Sequence, residues 1–298
     1  MRRHRAILVV VLVFAACSSP TTDIDPAYRT EIEAVWAERE AKLTAEDGWL
    51  SLTGLYWLEP GSSAFGSNNE NPVWLPDGAA IAGALVLGDD GAVTLKPDHE
   101  AGLTVNGEPA TERVLASDAA GAPDIVRSGR ALFHLISRGD RTGVRVKDHE
   151  SPSRRDFPGL ERFPIDPAFR VKAAFEPYDE PKEVAIPTVI GEPTTMLAPG
   201  QLRFEIGGEE LTLEPYVSSP GDTRLFIVFR DATSGDTTYG AGRFLSADLD
   251  PAGVVLDFNL AVNPPCAFTP YATCPLPTPE NTLFVPIEAG EKADQTAH

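Results

Sequence analysis

Asp257-Phe-Asn259, Asn263, the cysteines Cys266 and Cys274, and Glu280-Asn281 crowd acids, amides and thiols into one short stretch, which prolines across 264–277 hold stiff. Just upstream, Tyr239-Gly-Ala-Gly-Arg243 adds a phenol and a guanidinium. Arg243 and Asp257 are of the type that orients a ligand carboxylate or hydroxyl, and Glu280 or Asp257 of the type that acts as general acid or base. Tyr239, Asn259, Asn263, Tyr271 and Asn281 would supply hydrogen bonds to a small polar ligand or glycan. The same residues also suit a structural set, an Arg243–Asp257 ion pair with asparagines capping turns.

Such side chains need a scaffold, and the scaffold reads as mainly β: two β-rich domains preceded by one amphipathic helix. Asp25-Pro26 supplies an N-cap and a proline at the first helical position of a helix spanning 25–47. Tyr28, Ile32, Val35, Trp36 and Leu43 share one face, which is expected to pack on the sheet that follows. Residues 48–147 are short apolar runs separated by turn chemistry, including Asp89-Asp-Gly91 and Asn106-Gly107, at the spacing of a β-sandwich. Residues 148–167 form a connector whose Asp148, His149, Arg154 and Arg155 read as solvated charge. Residues 168–291 return to strands, among them 169–175, 184–190 and 283–287, with a hairpin at Gly207-Gly208. Strand alternation near 257 predicts Asp257 and Asn259 on one face and Phe258 on the other. Residues 292–298 form a polar tail expected to be disordered.

At the other end, Arg2, Arg3 and Arg5 precede the apolar run 6–16, a secretory-signal pattern too short for a membrane-spanning helix. The formal charge is −19, and removal of those arginines makes the chain more acidic still, so no nucleic-acid partner is expected. Phe14-Ala-Ala-Cys17 resembles the lipobox of bacterial lipoproteins, which implies cleavage after 16, lipidation of Cys17, a tether over 17–24 and a membrane partner reached through the lipid. Ser18 after the cysteine resembles the sorting pattern of outer-membrane lipoproteins. Cys266 and Cys274 then remain as an even pair in a compartment that permits disulfides, and a disulfide is expected. Zinc would need further ligands, and His99, His134, His149 and His298 all lie far from the cysteines in sequence. No metal and no cofactor are expected. Gly-x-Ser-x-Gly, His-Glu-x-x-His and a complete Gly-x-Gly-x-x-Gly are all absent.

Two family resemblances add to this. Phe65-Gly-Ser67, Pro72-Val-Trp-Leu-Pro76 and Gly102-Leu-Thr-Val-Asn106-Gly107 loosely resemble a forkhead-associated domain. That implies a sandwich but no phosphothreonine binding, because Ser67 stands where that family has its arginine. Tyr239–Leu245, Asp257-Phe-Asn259, the segment 263–277, Gly48–Leu58, Gly139-Asp-Arg141 and Phe157–Pro164 together resemble the bacterial domain-of-unknown-function family 1684. That resemblance implies no activity. The expectation is therefore an exported lipoprotein that binds a small polar ligand or glycan at a pocket by the cysteine loop. The alternatives are an extracytoplasmic hydrolase using Glu280 or Asp257, and an envelope interaction protein without a pocket.

Overall fold

The computed structural model describes residues 24–250 and 253–293. The expected signal segment, Cys17, the expected tether up to residue 23 and residues 294–298 lie outside the described residues. Lys292 and Ala293, assigned above to the tail, are held in place: their N–H groups donate to the carbonyls of Glu161 and Thr237.

Helix α1 (Pro26–Leu43) starts where the Asp25 carboxylate accepts the Ala27 N–H and Pro26 occupies the first turn. Tyr28, Ile32 and Leu43 are buried, whereas Val35 is 41% exposed and falls off the stripe. The helix does not dock mainly on the sheet that follows. Tyr28 and Ile32 pack with Ile165, and the Trp36 indole donates to the Asn259 carbonyl at 3.0 Å, so α1 belongs to the C-terminal domain. Its face carries three polar side chains, Tyr28, Trp36 and Arg39, whose partners all lie between Asp257 and Glu291.

The sandwich is built from β1 (Leu52–Trp57), β2 (Gly61–Gly66), β3 (Val73–Trp74), β4 (Gly83–Leu87), β5 (Val93–Pro97), β6 (Thr104–Val105), β7 (Glu108–Pro109), β8 (Arg113–Val114), β9 (Val126–Ser128), β10 (Ala131–Arg138) and β11 (Arg141–Asp148). One sheet has the order β1-β11-β10-β9-β6-β7 and the other β3-β2-β4-β5-β8. Phe65, Leu85 and Leu95 of the second sheet share a core with Phe133, Leu135, Val144 and Val146 of the first, Phe65 meeting Phe133 edge to face at 5.2 Å. Asn106 and Gly107 both take positive φ, as a two-residue hairpin turn of this hand requires. The intervening residues of β10 and β11, His134 and Arg145, are directly paired across the strands. They face away from that core and are nonetheless buried.

The connector is only partly solvated charge: Arg155 is exposed beside Asp156, but Asp148 and Arg154 are held by the fold. Ser151 caps a short helix, α2 (Pro152–Arg155), and its hydroxyl donates to the Leu50 carbonyl. Arg154 donates to the carbonyls of Thr44 and His149, and Asp148 is buried against Arg130. These bonds fasten the end of the sandwich to the end of α1.

The C-terminal domain comprises β12 (Arg170–Ile186), β13 (Thr194–Ile206), β14 (Glu209–Leu213), β15 (Arg224–Phe229), β16 (Arg243–Asp250) and β17 (Gly253–Asp257), in the order β14-β13-β12-β17-β16-β15. The two runs read as 169–175 and 184–190 are one long strand, β12, whose register breaks between Pro177 and Lys182. Beyond β14 the chain continues alongside β13, where the Val217 N–H reaches the Leu197 carbonyl. It then pairs reciprocally with β15 through Tyr216 and Phe226. Those bonds close the sheet into a barrel around Leu202, Phe204, Ile227, Phe229, Leu256 and Phe258. No strand forms at 283–287: Pro286 has no N–H to give a ladder, and the Ile287 carbonyl is taken by Arg243.

Candidate functional site

Arg243 and Asp257 have different partners. Arg243 is fully buried, and its guanidinium donates to Asp231 Oδ2 at 2.9 Å and to the carbonyls of Ile287, Ala289 and Glu291. Gly242 sets this up. Its φ is +91°, and a Cβ there would stand 2.5 Å from the Phe229 carbonyl oxygen, so only glycine lets the chain turn inward at that point. Burial lowers the Arg243 pKa, and the Asp231 charge opposes that shift.

Asp257 caps a single 3-10 turn instead of continuing the strand, which curls Asn259 back onto it. Its carboxylate accepts from Tyr28 Oη at 2.8 Å and Asn259 Nδ2 at 3.0 Å, with Arg170 Nε at 3.5 Å. Asn259 in turn bonds the backbone of Asp166 at both its N–H and its carbonyl. Asn263 donates to the Lys292 carbonyl, and its own N–H is held by Glu291 Oε2 at 2.7 Å. Glu291 is buried with Arg39 Nε at 3.2 Å, and burial raises its pKa. Asn281 clamps both backbone groups of Glu214. Glu280 beside it is exposed. Apart from the exposed Glu280, these residues thus sit in buried hydrogen-bond networks that fix loops, Glu291 joining Arg243 to Asn263.

The cysteine loop is where the two domains meet. The Thr269 hydroxyl donates to the Leu52 carbonyl of β1, and Tyr239 Oη donates to the Cys266 carbonyl at 3.0 Å from the barrel side. Tyr271 sits at the exposed rim. Cys266 and Cys274 come together, the Cys266 N–H reaching Cys274 Sγ at 3.2 Å, but as free thiols and not as the expected disulfide. A hydrogen bond between the two thiols pulls that of Cys266 down to about 7 and, with burial, pushes that of Cys274 up, which the Cys266 backbone N–H opposes.

Thr273 and Pro275 of this loop form one wall of a cleft of about 350 Å³. Ser137, Arg138 and Gly139 at the β10–β11 turn form the second wall, and Thr188, Ile190, Glu192 and Thr194 between β12 and β13 the third. Arg138 Nε donates to Thr273 Oγ1 at 3.1 Å and Arg138 Nη1 to Asp118 at 2.8 Å. Behind Thr273 lies Arg145, 6% exposed, whose Nη2 reaches the same hydroxyl oxygen at 3.3 Å and whose plane lies over Trp49. Arg145 was not singled out from the sequence, although a polar residue at an otherwise apolar strand position, opposite His134, was the available signal.

Residues 155–292 match the family model described as protein of unknown function, DUF1684. An uncharacterised protein of Haloarcula marismortui, solved by NMR in solution, is 34% identical over 49% of this chain and 82% of its own, with a TM-score of 0.41. Rad53 1–466 in complex with AMP-PNP is 10% identical over 75% of this chain and 50% of its own, with a TM-score of 0.17. No curated protein matches the chain. The matched residues include Tyr239–Leu245 and the whole cysteine loop, while Gly48–Leu58 and Gly139-Asp-Arg141 precede them. Through residues 155–292, from α2 to the buried Glu291 and its neighbour, this chain belongs to the family of proteins of unknown function DUF1684.

Proposed function

We propose that the protein is an exported lipoprotein, anchored through Cys17, that binds a small polar ligand or glycan in the cleft between sandwich and barrel. One observation carries the binding reading: the cysteine loop, the β10–β11 turn and the β12–β13 connection converge on a concave site lined by Ser137, Arg138, Thr188, Glu192, Thr194 and Thr273. A few convergent polar groups at a domain junction are the usual make-up of a ligand pocket. Thr194→Trp fills the cleft from a position outside both cores. A thermal-shift screen of sugars and small metabolites should find compounds that stabilise the wild type and not this variant, and equal shifts in both would refute the cleft. Anchoring predicts that the wild type sediments with membranes and that Cys17→Ala does not mature.

A hydrolase remains the second reading because of a carboxylate other than those first named. Glu214 is buried, accepts from Tyr178 Oη at 2.6 Å, and lies behind Tyr216, which lines a groove of about 590 Å³. Burial and the Glu214 contact push Tyr178 up to about 12, so it stays a proton donor to that carboxylate. Glu214→Gln abolishing any turnover detected with glycoside or ester substrates is the expected outcome on that reading.

A further inference from the structure

We infer that the ligand of this cleft carries an oxyanion, a carboxylate or phosphate group, seated on Thr273 between Arg138 and Arg145; this rests on the cleft being the binding site. The fold treats two buried arginines differently. Arg243 has Asp231 at 2.9 Å and backbone carbonyls around it. Arg145 is almost as buried, yet among the described residues no carboxylate lies within 4.0 Å of it; the Nε of both arginines lacks a hydrogen-bond partner, so the missing counter-charge is what sets Arg145 apart. A guanidinium withdrawn from water without a counter-charge is unfavourable, and the chain places such a charge within one hydroxyl of an open cleft.

Thr273 links the two. Its oxygen accepts from Arg138 Nε and Arg145 Nη2 together, which uses both lone pairs and leaves its O–H as a donor, and Thr273 lines the cleft. His134, the cross-strand neighbour of Arg145, is also buried with an unpartnered Nδ1. Lys147 extends the same positive strip along β11, donating to the Asp47 carbonyl. Asp118 pairs with Arg138 and its charge also reaches Arg145, and Asp47 acts on Lys147, so Arg138, Arg145 and Lys147 still outnumber the acids beside them, in a chain whose formal charge is −19. An oxyanion at the Thr273 wall would accept hydrogen bonds from the Thr273 hydroxyl and the Arg138 guanidinium and supply the counter-charge that Arg145 behind them lacks.

Inorganic phosphate, acetate, galacturonate and neutral galactose are titrated by calorimetry and thermal shift into wild type, Arg145→Met, Thr273→Val and Thr194→Trp. Arg145→Met removes an unpaired buried charge for a similar apolar volume, so its melting temperature in anion-free buffer should equal or exceed that of the wild type. Its affinity for phosphate or galacturonate should fall at least tenfold, as should that of Thr273→Val. Phosphate and galacturonate against each other decide between phosphate and carboxylate. Galactose binding that Thr194→Trp abolishes, with every anion inert, would overturn the oxyanion and leave the cleft standing. Anion binding equal in wild type and Arg145→Met, or a large loss of stability in Arg145→Met, would overturn the role given to Arg145. No probe distinguishing wild type from Thr194→Trp would remove the cleft itself.

Discussion

Arg243 and His134 show how differently two buried titratable side chains bear on stability. The Arg243–Asp231 pair is completely enclosed, and removing one partner strands the other. Arg243→Ala should therefore destabilise by about 3–5 kcal/mol, read from urea unfolding, and Arg243→Met with Asp231→Leu should recover much of that loss. His134 is pushed down to about 4, first by burial and then by Lys147 and Arg145. Between about pH 4 and its unfolded value near 6.5, the unfolded chain binds a proton that the folded chain does not. Stability contributed above 6.5 is accordingly lost as pH falls through that window, on the order of 3 kcal/mol in all. His134→Phe should flatten the dependence of melting temperature on pH between those limits, and an unchanged slope would mean that His134 titrates normally. At this scale the sequence marked Arg243, Asp257 and the asparagines as unusual, and they are. It could not tell a ligand contact from a loop clamp, because both demand the same polar groups, and the distinguishing fact is whether the partner belongs to the chain.

Helix α1 was legible in its start, Asp25-Pro26, since capping is local. Its docking site was not, because the Tyr28–Asp257 bond joins positions 229 residues apart. Alternation placed Asp257 and Asn259 together for the wrong reason: a capped 3-10 turn, and not a strand, brings them into contact. Glycine pairs were the most reliable signals, Asn106-Gly107 and Gly207-Gly208 both adopting the positive φ that two-residue hairpins need. The cysteine loop joins sandwich and barrel, and its thiols are already in contact. Treatment with a small disulfide such as oxidised glutathione should join Cys266 to Cys274, the reagent being reduced as the thiols lose their hydrogens. The bond should stabilise by about 2–3 kcal/mol. Mass spectrometry without reductant and urea unfolding check both points, and a mixed disulfide that never resolves would show that the sulfurs cannot reach bonding geometry.

For the molecule as a whole, the division into two β-rich domains after one helix followed from turn chemistry, whereas closure of the barrel did not. Closure depends on Tyr216 and Val217, which lie outside any regular strand and carry no periodic pattern. The positive strip behind the cleft escaped notice because net charge averages over a strongly acidic surface. One arrangement bears on how the chain is made. The carbonyls that enclose Arg243 belong to Ile287, Ala289 and Glu291, and Glu291 also grips Arg39 of α1. Synthesis delivers α1 long before those residues, so the barrel has to wait, with Arg243 and the inner faces of its strands uncovered, until residues 287–291 have emerged. The sandwich does not wait, since its core is complete by Asp148. A fragment ending at residue 286 should therefore yield, under limited proteolysis, a resistant core ending near 150 and a digested remainder. Proteolytic resistance extending through β17 would mean that the barrel closes without its final turns. Any chaperone that shields this chain while it is being made should accordingly recognise the unfinished barrel, not the sandwich.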